Sequence, residues 1–551
     1  MLLLLFIGWT AGLLWLAARG ERFEADDSTA PRWALAAVLL TAVIVYFWTL
    51  FPLAGLAEAF PIDDSYITLT AARNLAEHNL FAINPQAPVA GITSPLHVLL
   101  VGLAGKAIGV IAADRAWGLL AFLLAVGGLF VWVRQLGGSL PAAAGAAAGA
   151  VLAGPLAFGA LNGLETDLFA AAIVWSFVVF EKSRAAPCWT IGLGALCGAA
   201  ILTRPEGYFL AAVLFAVRGG ELAAKKARRD WLWCGAGVLA TLVVVLPYLL
   251  SNYLLIGHVM PLTVSAKRYF FMSSCETWSR RWQTLAEAPW LLLGVVSLLS
   301  PLLLAARRWW SRIYPPLFLL VFYGAYLVQF TGALKHYNGR YQHPLLPVVF
   351  AGLGMGGAAV AGWLRRRFPG GGKLAGAGLA VLFLFFTMLT GSKSYVYYRA
   401  AIASMDIDGY LAKVVKYVQE HSAPGDLIAT HDIGALYYFA DRPILDLVGL
   451  TDPEVARIYA TVPSTCKGRN PRALPLYELL QRRRPKLLLF FQEWDHFLGL
   501  LKEDRGRHLR YSTRLEKAFW LPDDSQSNKR EFQIYAADWD QEPPADSAAA
   551  P

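Results

Sequence analysis

Charge is what this sequence has least of: of 551 residues, 16% are charged and 56% are hydrophobic. Soluble domains carry about 25% charged residues, so a mean hydropathy of +0.45 excludes an ordinary globular enzyme. Dividing the length by about 150 residues per domain presupposes water as the solvent and counts nothing useful here. Cysteine is scarce too, with five residues, no CxxC pair and no Cys/His cluster at zinc spacing. Cys188, Cys197 and Cys234 lie in or beside apolar runs and read as packing residues. Cys275 and Cys466 fall on the expected outer side, where a disulfide between them is permitted. There is no Walker A lysine, no HExxH and no Gly-x-Ser-x-Gly, so nucleotide-driven transport and the commoner hydrolases lose their usual support. Gly352-Leu-Gly-Met-Gly-Gly357 has dinucleotide-binding spacing, but no strand precedes it and no acid follows about 20 residues on. Inside an apolar run, its small residues read as a close helix contact. Met1 to Ala18 lacks a basic n-region and a small-residue cleavage site, so it is expected to be an uncleaved span. No internal repeat is evident.

What is present is a series of apolar runs, at approximately 33–55, 115–134, 141–160, 164–181, 188–203, 207–218, 231–256, 288–306, 315–331, 343–364 and 374–392. Several fall short of the roughly 20 residues that cross hydrocarbon, so tilted or paired segments are expected among about 11–12 spans. The net charge of +10 sits in clusters between runs: Arg218 to Arg229, Arg307 to Arg312, and Arg365 to Lys373. Basic residues flanking spans mark the cytoplasmic face, so the positive balance reports topology and not nucleic-acid binding. That orientation puts 56–114, 257–287, 332–342 and 393–551 outside. Counting Pro95 to Val110 as a span would turn every later basic cluster the wrong way. It is expected to be an interfacial helix that dips in and returns on the outer side.

After Gly391 the composition changes. Gly425-Asp-Leu-Ile-Ala-Thr, Pro443-Ile-Leu-Asp-Leu-Val and Lys486-Leu-Leu-Leu-Phe-Phe read as short buried strands, alternating with helical patterns at Tyr410–Glu420 and Tyr477–Arg483. The expected fold is thus a polytopic α-helical membrane protein with a C-terminal extracytoplasmic α/β domain. The divisions are an N-terminal span and cytoplasmic loop at 1–32, a transmembrane catalytic domain at 33–392 with outer loop 56–114, the α/β domain at 393–540, and a disordered tail at 541–551.

Polar residues gather at the outer ends of the runs. Asp63-Asp64-Ser65 follows a span directly and precedes an amphipathic helix at about 65–78. Helix capping accounts for one such acid; an aqueous-facing carboxylate beside a lipid pocket takes a proton from an acceptor hydroxyl, and its neighbour holds a divalent cation. Four further clusters share that face: Asn162-Gly-Leu-Glu-Thr166, Arg204-Pro-Glu-Gly207, Gly257-His258 through Lys267-Arg268, and His336-Tyr-Asn-Gly-Arg340-Tyr341. Singly, Glu165 and Pro205-Glu206 suit a first helical turn, and Lys267 and Arg340 suit snorkelling to headgroups. Together they place both signs of charge at one interface, which is what a lipid-phosphate substrate requires: cations hold phosphate while carboxylates do acid–base work.

These residues resemble the GT-C superfamily of polyprenyl-phosphate-dependent glycosyltransferases, and most closely its mycobacterial terminal arabinofuranosyltransferase branch. The resemblance is carried by Asp63-Asp64-Ser65-Tyr66-Ile67, Ala72-Arg73-Asn74-Leu75, Asn84-Pro85 and Gly91-Ile92-Thr93-Ser94-Pro95-Leu96. It continues through Gly163-Leu164-Glu165-Thr166, Arg204-Pro205-Glu206-Gly207, Pro261-Leu262-Thr263 with Ala266-Lys267, and Asp446-Leu447-Val448-Gly449-Leu450-Thr451. His78-Asn79 stands where the branch has Gly-x-Gly, and Ala90 where it has an acid; both bear on acceptor or sugar preference more than on the reaction.

The resemblance implies inverting transfer of one sugar, such as the pentose arabinofuranose, from a polyprenyl-phosphate donor to a hydroxyl of a cell-envelope glycan, glycolipid or protein. The setting it implies is the outer face of a bacterial cytoplasmic membrane. By the family layout Asp63 is the general base, and Asp64 assists it or binds a divalent cation (Mg, Mn or Ca). Arg204, Lys267 and Arg340 are candidates to stabilise the departing lipid phosphate. Arg73, Asn74, Thr93, Glu165, Glu206, His258 and Tyr341 complete the substrate-binding candidates. The rival is a secondary transporter or flippase of lipid-linked sugars, which places ionisable groups near the bilayer midplane; here they lie mostly at the ends of runs. A third reading makes 393–551 a scaffold for partners.

Overall fold

The computed structural model describes residues 4–5, 7–12, 29–50, 60–84, 92–226, 228–264, 266, 276–288, 290–291, 313–368, 372–405, 409–462, 471–500, 513–522 and 529–540. The helices are α1 (Ala30–Leu50), α2 (Asp63–His78), α3 (Pro95–Ile108), α4 (Val110–Gln135), α5 (Leu140–Leu152), α6 (Thr166–Ala185), α7 (Trp189–Thr203) and α8 (Gly207–Lys225). They continue as α9 (Asp230–Ile256), α10 (Trp278–Ala286), α11 (Tyr314–Gln329), α12 (Leu346–Arg367) and α13 (Gly372–Met405). Among the described residues six helices are long and apolar enough to cross a membrane: α1, α4, α8, α9, the segment Thr331–Arg367 that contains α12, and Leu374–Ile402 within α13. Shorter apolar helices, α3, α5, α7 and α11, fill in between them. The run at 288–306 and both outer cysteines, Cys275 and Cys466, lie almost wholly outside the described residues.

Burial of large apolar side chains along these helices forms one continuous core, in which Trp132, Phe177, Phe180, Tyr314 and Phe318 pack in tilted and edge-to-face contacts. Small residues bring backbones close where side chains would not fit. A Cβ on Gly194 of α7 would lie 1.9 Å from the Gly237 carbonyl oxygen of α9. At one end of the bundle, Arg184 at the close of α6 pairs with Glu181 at 2.8 Å and with Glu221 of α8. The polar groups of the outer clusters lie at the opposite, N-terminal ends of the same two helices.

Gly109 alone separates α3 from α4, at a φ of +81° that only glycine adopts without strain. The turn folds α3 back onto α2, where Gly102 meets Leu75 and the Ala72 carbonyl. His97 of α3 and Asp114 of α4, both buried, close the corner at 2.9 Å. The composition change near residue 392 falls inside α13, which runs unbroken to Met405.

Beyond α13, strands β1 (Ile428–Thr430), β2 (Ile444–Asp446), β3 (Leu487–Phe491), β4 (Thr513–Pro522) and β5 (Lys529–Ala537) form one sheet of order β2-β1-β3-β5-β4. The first three are parallel; β5 and β4 are antiparallel additions. Side chains alternate across it. Ile428, Leu487, Leu489, Phe532 and Ile534 face a core shared with Tyr66 and Leu69 of α2, while Ala429, Leu488 and Phe490 face Leu476 and Leu480 of helix α15 (Ala473–Arg483). Helix α14 (Pro453–Thr461) covers the same second face. The three apolar runs read from the sequence are β1, β2 and β3. The β4–β5 hairpin went unread because charged residues such as Arg514, Lys517, Lys529 and Glu531 interrupt its apolar alternation.

Gly194→Ala is expected to destabilise the protein by about 1–3 kcal/mol through overpacking, read as a lower midpoint of thermal unfolding in detergent. Gly235→Ala, on α9 with no atom within 4 Å of its Cβ, is the control and should leave the midpoint unchanged.

Candidate functional site

The site starts at the N-terminus of α2. Asp63 and Asp64 occupy its first turn, where the helix dipole favours negative charge. Successive residues on a helix point about 100° apart, and the two carboxylates go to different places. Asp63 is buried and turned to the C-terminal domain: its Oδ2 accepts the Gly434 amide at 2.8 Å and its Oδ1 the Ala435 amide at 2.8 Å. Burial pushes its carboxyl up to about 6, although the Ala435 and Gly434 amides pull it down. The approach is close enough that a Cβ on Gly434 would fall 1.9 Å from the Asp63 carbonyl oxygen. Further along α2, Arg73 donates to the carbonyls of Tyr438 at 2.5 Å and Tyr437 at 3.4 Å, with its guanidinium over the Tyr438 ring. Asn74 turns inward to the Ala82 and Ile83 carbonyls, at 2.8 and 3.3 Å, and shapes the chain after the helix.

Asp64 faces the other way, into a cavity of about 410 Å³, and forms an ion pair with Arg340. Arg340 follows three consecutive left-handed residues, Tyr337 (φ 44°), Asn338 (φ 55°) and Gly339 (φ 77°). Two non-glycine residues held there store strain of the kind found at functional sites, and the turn delivers a guanidinium that is 4% exposed. Its Nη2 reaches Asp64 and, at 3.3 Å, the Tyr341 hydroxyl. Its Nη1 is buried without a partner among the described residues.

Beside it, Arg204 sits between α7 and α8. Nη1 donates to Glu165 at 2.9 Å, Nη2 to Glu206 at 2.8 Å and Nε to Glu206 at 3.3 Å, so all three nitrogens are engaged. Tyr326 adds a hydroxyl to Glu206 at 2.5 Å, and Tyr341 lies under the guanidinium. Burial alone would raise the Glu206 carboxyl, but the adjoining Arg204 charge wins and holds it below the usual range. Glu165 and Glu206 are the residues just before α6 and α8, so three helix N-termini meet at one wall, counting α2. The Ser65 hydroxyl donates to the Asn162 carbonyl and ties α2 to the loop that presents Glu165.

Of the residues singled out in the sequence, Asp64, Thr93, Glu165, Arg204, Glu206, Arg340 and Tyr341 line this cavity. Asp63 and Arg73 instead make their hydrogen bonds to the C-terminal domain, at Gly434 and Ala435 and at Tyr437 and Tyr438. Asn74 is a loop anchor, His258 is exposed and off the cavity wall, and Lys267 lies outside the described residues. Sequence reasoning passed over Tyr326, which sat inside an apolar run without any local signal. Thr263, quoted within the motif Pro261-Leu262-Thr263 but assigned no role, also lines the cavity, and its buried hydroxyl has no partner among the described residues.

The donor set does not fit the divalent cation expected from two adjacent carboxylates. Both Asp63 oxygens are held by amides and Asp64 is paired to a guanidinium. Among the described residues no group of three or more His, Cys, Asp or Glu gathers as metal ligands do.

Comparison with known proteins supports the fold. ArnT from Cupriavidus metallidurans bound to undecaprenyl phosphate superposes with a TM-score of 0.53 at 14% identity, over 92% of this chain and 98% of that one. The Archaeoglobus fulgidus oligosaccharyltransferase in complex with Zn and sulfate gives 0.57 at 13% identity, over 93% and 74%. The same enzyme tethered to an acceptor peptide containing the NVT sequon gives 0.54 at 13% identity, over 94% and 76%. The architecture is therefore that of the GT-C fold, with a small C-terminal sheet domain. Residues 397–539 match a family described as a domain of unknown function, DUF8728. No curated protein matches the chain by sequence.

Removing one member of a buried, paired set leaves the others uncompensated, at about 3–5 kcal/mol. Arg204→Met is expected to lower stability by that order, seen in thermal or urea unfolding in detergent. The triple variant Arg204→Met with Glu165→Gln and Glu206→Gln should recover most of the loss.

Proposed function

We propose that the protein is an inverting glycosyltransferase that moves a single sugar from a polyprenyl-phosphate donor to a hydroxyl of a cell-envelope glycan, glycolipid or protein. A pentose such as arabinofuranose is the sugar in this reading. The observation that carries it is Arg340, which lines the cavity paired to Asp64 where three helix N-termini converge, and whose buried Nη1 has no partner among the described residues. Helix N-termini and a free guanidinium N–H are both anion donors. Arg204 is already engaged by two carboxylates, Glu165 and Glu206, and is not the donor offered to an anion. A phosphate oxygen is the ligand such a donor lacks, and the apolar lining at Phe209, Val264 and Phe330 suits the start of a polyprenyl chain.

In this reading Asp64 accepts the proton of the acceptor hydroxyl as its oxygen attacks the anomeric carbon. The bond from that carbon to the phosphate oxygen breaks, and polyprenyl phosphate leaves. Charge grows on the phosphate only as the bond opens, so a guanidinium already fixed there lowers the barrier selectively. Asp63 stays bound to the Gly434 and Ala435 amides and fixes the helix that carries Asp64. The reading sets the protein in a bacterial cytoplasmic membrane with this cavity outward; the basic residues at the opposite end of the bundle, Lys182, Arg184, Arg218 and Arg365 to Arg367, support that orientation.

Native mass spectrometry of the full chain titrated with undecaprenyl phosphate, against undecaprenol, tests this. Saturable binding of the phosphate and not the alcohol is expected. Arg340→Gln should weaken it about tenfold or more, ~1.4 kcal/mol. Binding no tighter than that of undecaprenol would overturn the reading in favour of a transporter. Asp64→Asn, which frees Arg340 of its counter-charge, should bind undecaprenyl phosphate at least as tightly as the unaltered protein does. With a polyprenyl-phosphate arabinofuranose donor it should release polyprenyl phosphate about a hundredfold more slowly or worse.

A further inference from the structure

The cavity has one wall residue that does not come from the helix bundle. Among its described lining residues, Leu450 alone belongs to the C-terminal domain. The loop carrying it is fixed on both sides. Asp446, at the end of β2, gathers the amides of Val448 at 2.8 Å, Gly449 at 3.1 Å and Thr451 at 2.7 Å, and the Thr451 hydroxyl at 3.1 Å. Gly449 takes a φ of +78°, and a Cβ there would strike the Ala456 amide nitrogen at 2.7 Å. Asp452 then caps α14 through the amides of Glu454 and Val455, at 2.9 and 3.2 Å. Leu447 and Val448 are buried, while Leu450 is half-buried at the cavity. Leu450 packs against the core shared by the sheet and α2, and the fixed loop holds it at the cavity as well.

The seat of that domain is set by α2. Its Asp63 carboxylate meets the Gly434 and Ala435 amides just before the short helix Leu436–Ala440. Its Arg73 meets the Tyr437 and Tyr438 carbonyls within that helix. An anion against amides and a cation against carbonyls give two attachments of opposite sign, which fix both the position and the direction of one element on the other. The same helix presents Asp64 to the cavity, so one rigid piece aligns the carboxylate and the wall opposite.

We propose that the C-terminal domain, which matches a family of unknown function, completes the substrate cavity, and that Leu450 is a specificity-determining residue that touches the cavity's occupant. Its branched aliphatic side chain offers a surface for the C–H groups of the bound lipid-phosphate substrate, in a cavity also lined by Thr68, Thr93, Asp64 and Glu165. Asp63 and Arg73 are the positioning residues that keep it there. This rests on the cavity being the lipid-phosphate site.

The test is protection of a cysteine in the full chain. Leu450→Cys is reacted with a small water-soluble methanethiosulfonate, with and without undecaprenyl phosphate, and labelling is followed by site-resolved mass spectrometry. With the lipid at ten times its Kd, labelling of the new cysteine should slow about tenfold. Cys188, exposed at the far end of the bundle, serves as internal control and should react at an unchanged rate. Adding Arg73→Ala should abolish most of the protection while the lipid still binds, and Arg73→Lys should restore it. Equal labelling with and without bound lipid would overturn the proposal, and full protection in the Arg73→Ala background would overturn the positioning role. Failure of the unaltered protein to bind undecaprenyl phosphate would instead remove the cavity reading, and this inference with it.

Discussion

Two guanidinium groups buried at one end of an apolar bundle impose the conditions that the rest of the site meets. Taking an ion out of water costs several kcal/mol even after relaxation, so each must find a counter-charge whose own burial is also compensated. Arg204 finds two, Glu165 and Glu206, and Arg340 finds Asp64. The carboxylates stand at the N-terminal ends of α6, α8 and α2, where unsatisfied amides favour negative charge. Helix placement, ion pairing and cavity shape are therefore one arrangement. Moving any of the three helices would leave a buried ion without its partner.

Within that arrangement the two arginines have different standing. Arg204 has all three nitrogens engaged and works as a strut between helices. Arg340 retains a buried N–H without a partner among the described residues. A buried donor left unmade costs about 1–3 kcal/mol, and the turn that places it adds backbone strain at Tyr337 and Asn338. Such expense at a cavity wall is consistent with a ligand that completes the set. The adjacent aspartates divide in the same manner: Asp63 holds a second domain in place, and Asp64 faces the space where a reaction would occur.

Much of this was legible in the chain before any coordinates. The helical bundle follows from the apolar runs, and β1 to β3 from short β-branched and leucine-rich stretches between turn residues. Asp64, Thr93, Glu165, Arg204, Glu206, Arg340 and Tyr341 were all singled out, and they line one cavity. What the sequence does not carry is which way a side chain turns. Asp63 and Asp64 are neighbours with the same chemistry, and no local pattern says which will meet Gly434, some 370 residues away. Asn74 and Arg73 sit in an apparently functional motif yet satisfy backbone carbonyls. Tyr326 was hidden because an aromatic in an apolar run gives no sign that its hydroxyl reaches a carboxylate.

The sequence by itself determined the solvent this protein lives against, the class of fold, and the kinds of group gathered at one end of it. Those properties depend on hydrophobic period, run length and charge placement, which are local or additive along the chain. Tertiary structure alone decided which carboxylate faces the cavity, which arginine keeps a donor without a partner among the described residues, and that Leu450 from the C-terminal domain forms part of the wall. Each of those depends on a contact between segments far apart in sequence, where an ion or an N–H is satisfied or left unsatisfied by whatever the fold brings beside it.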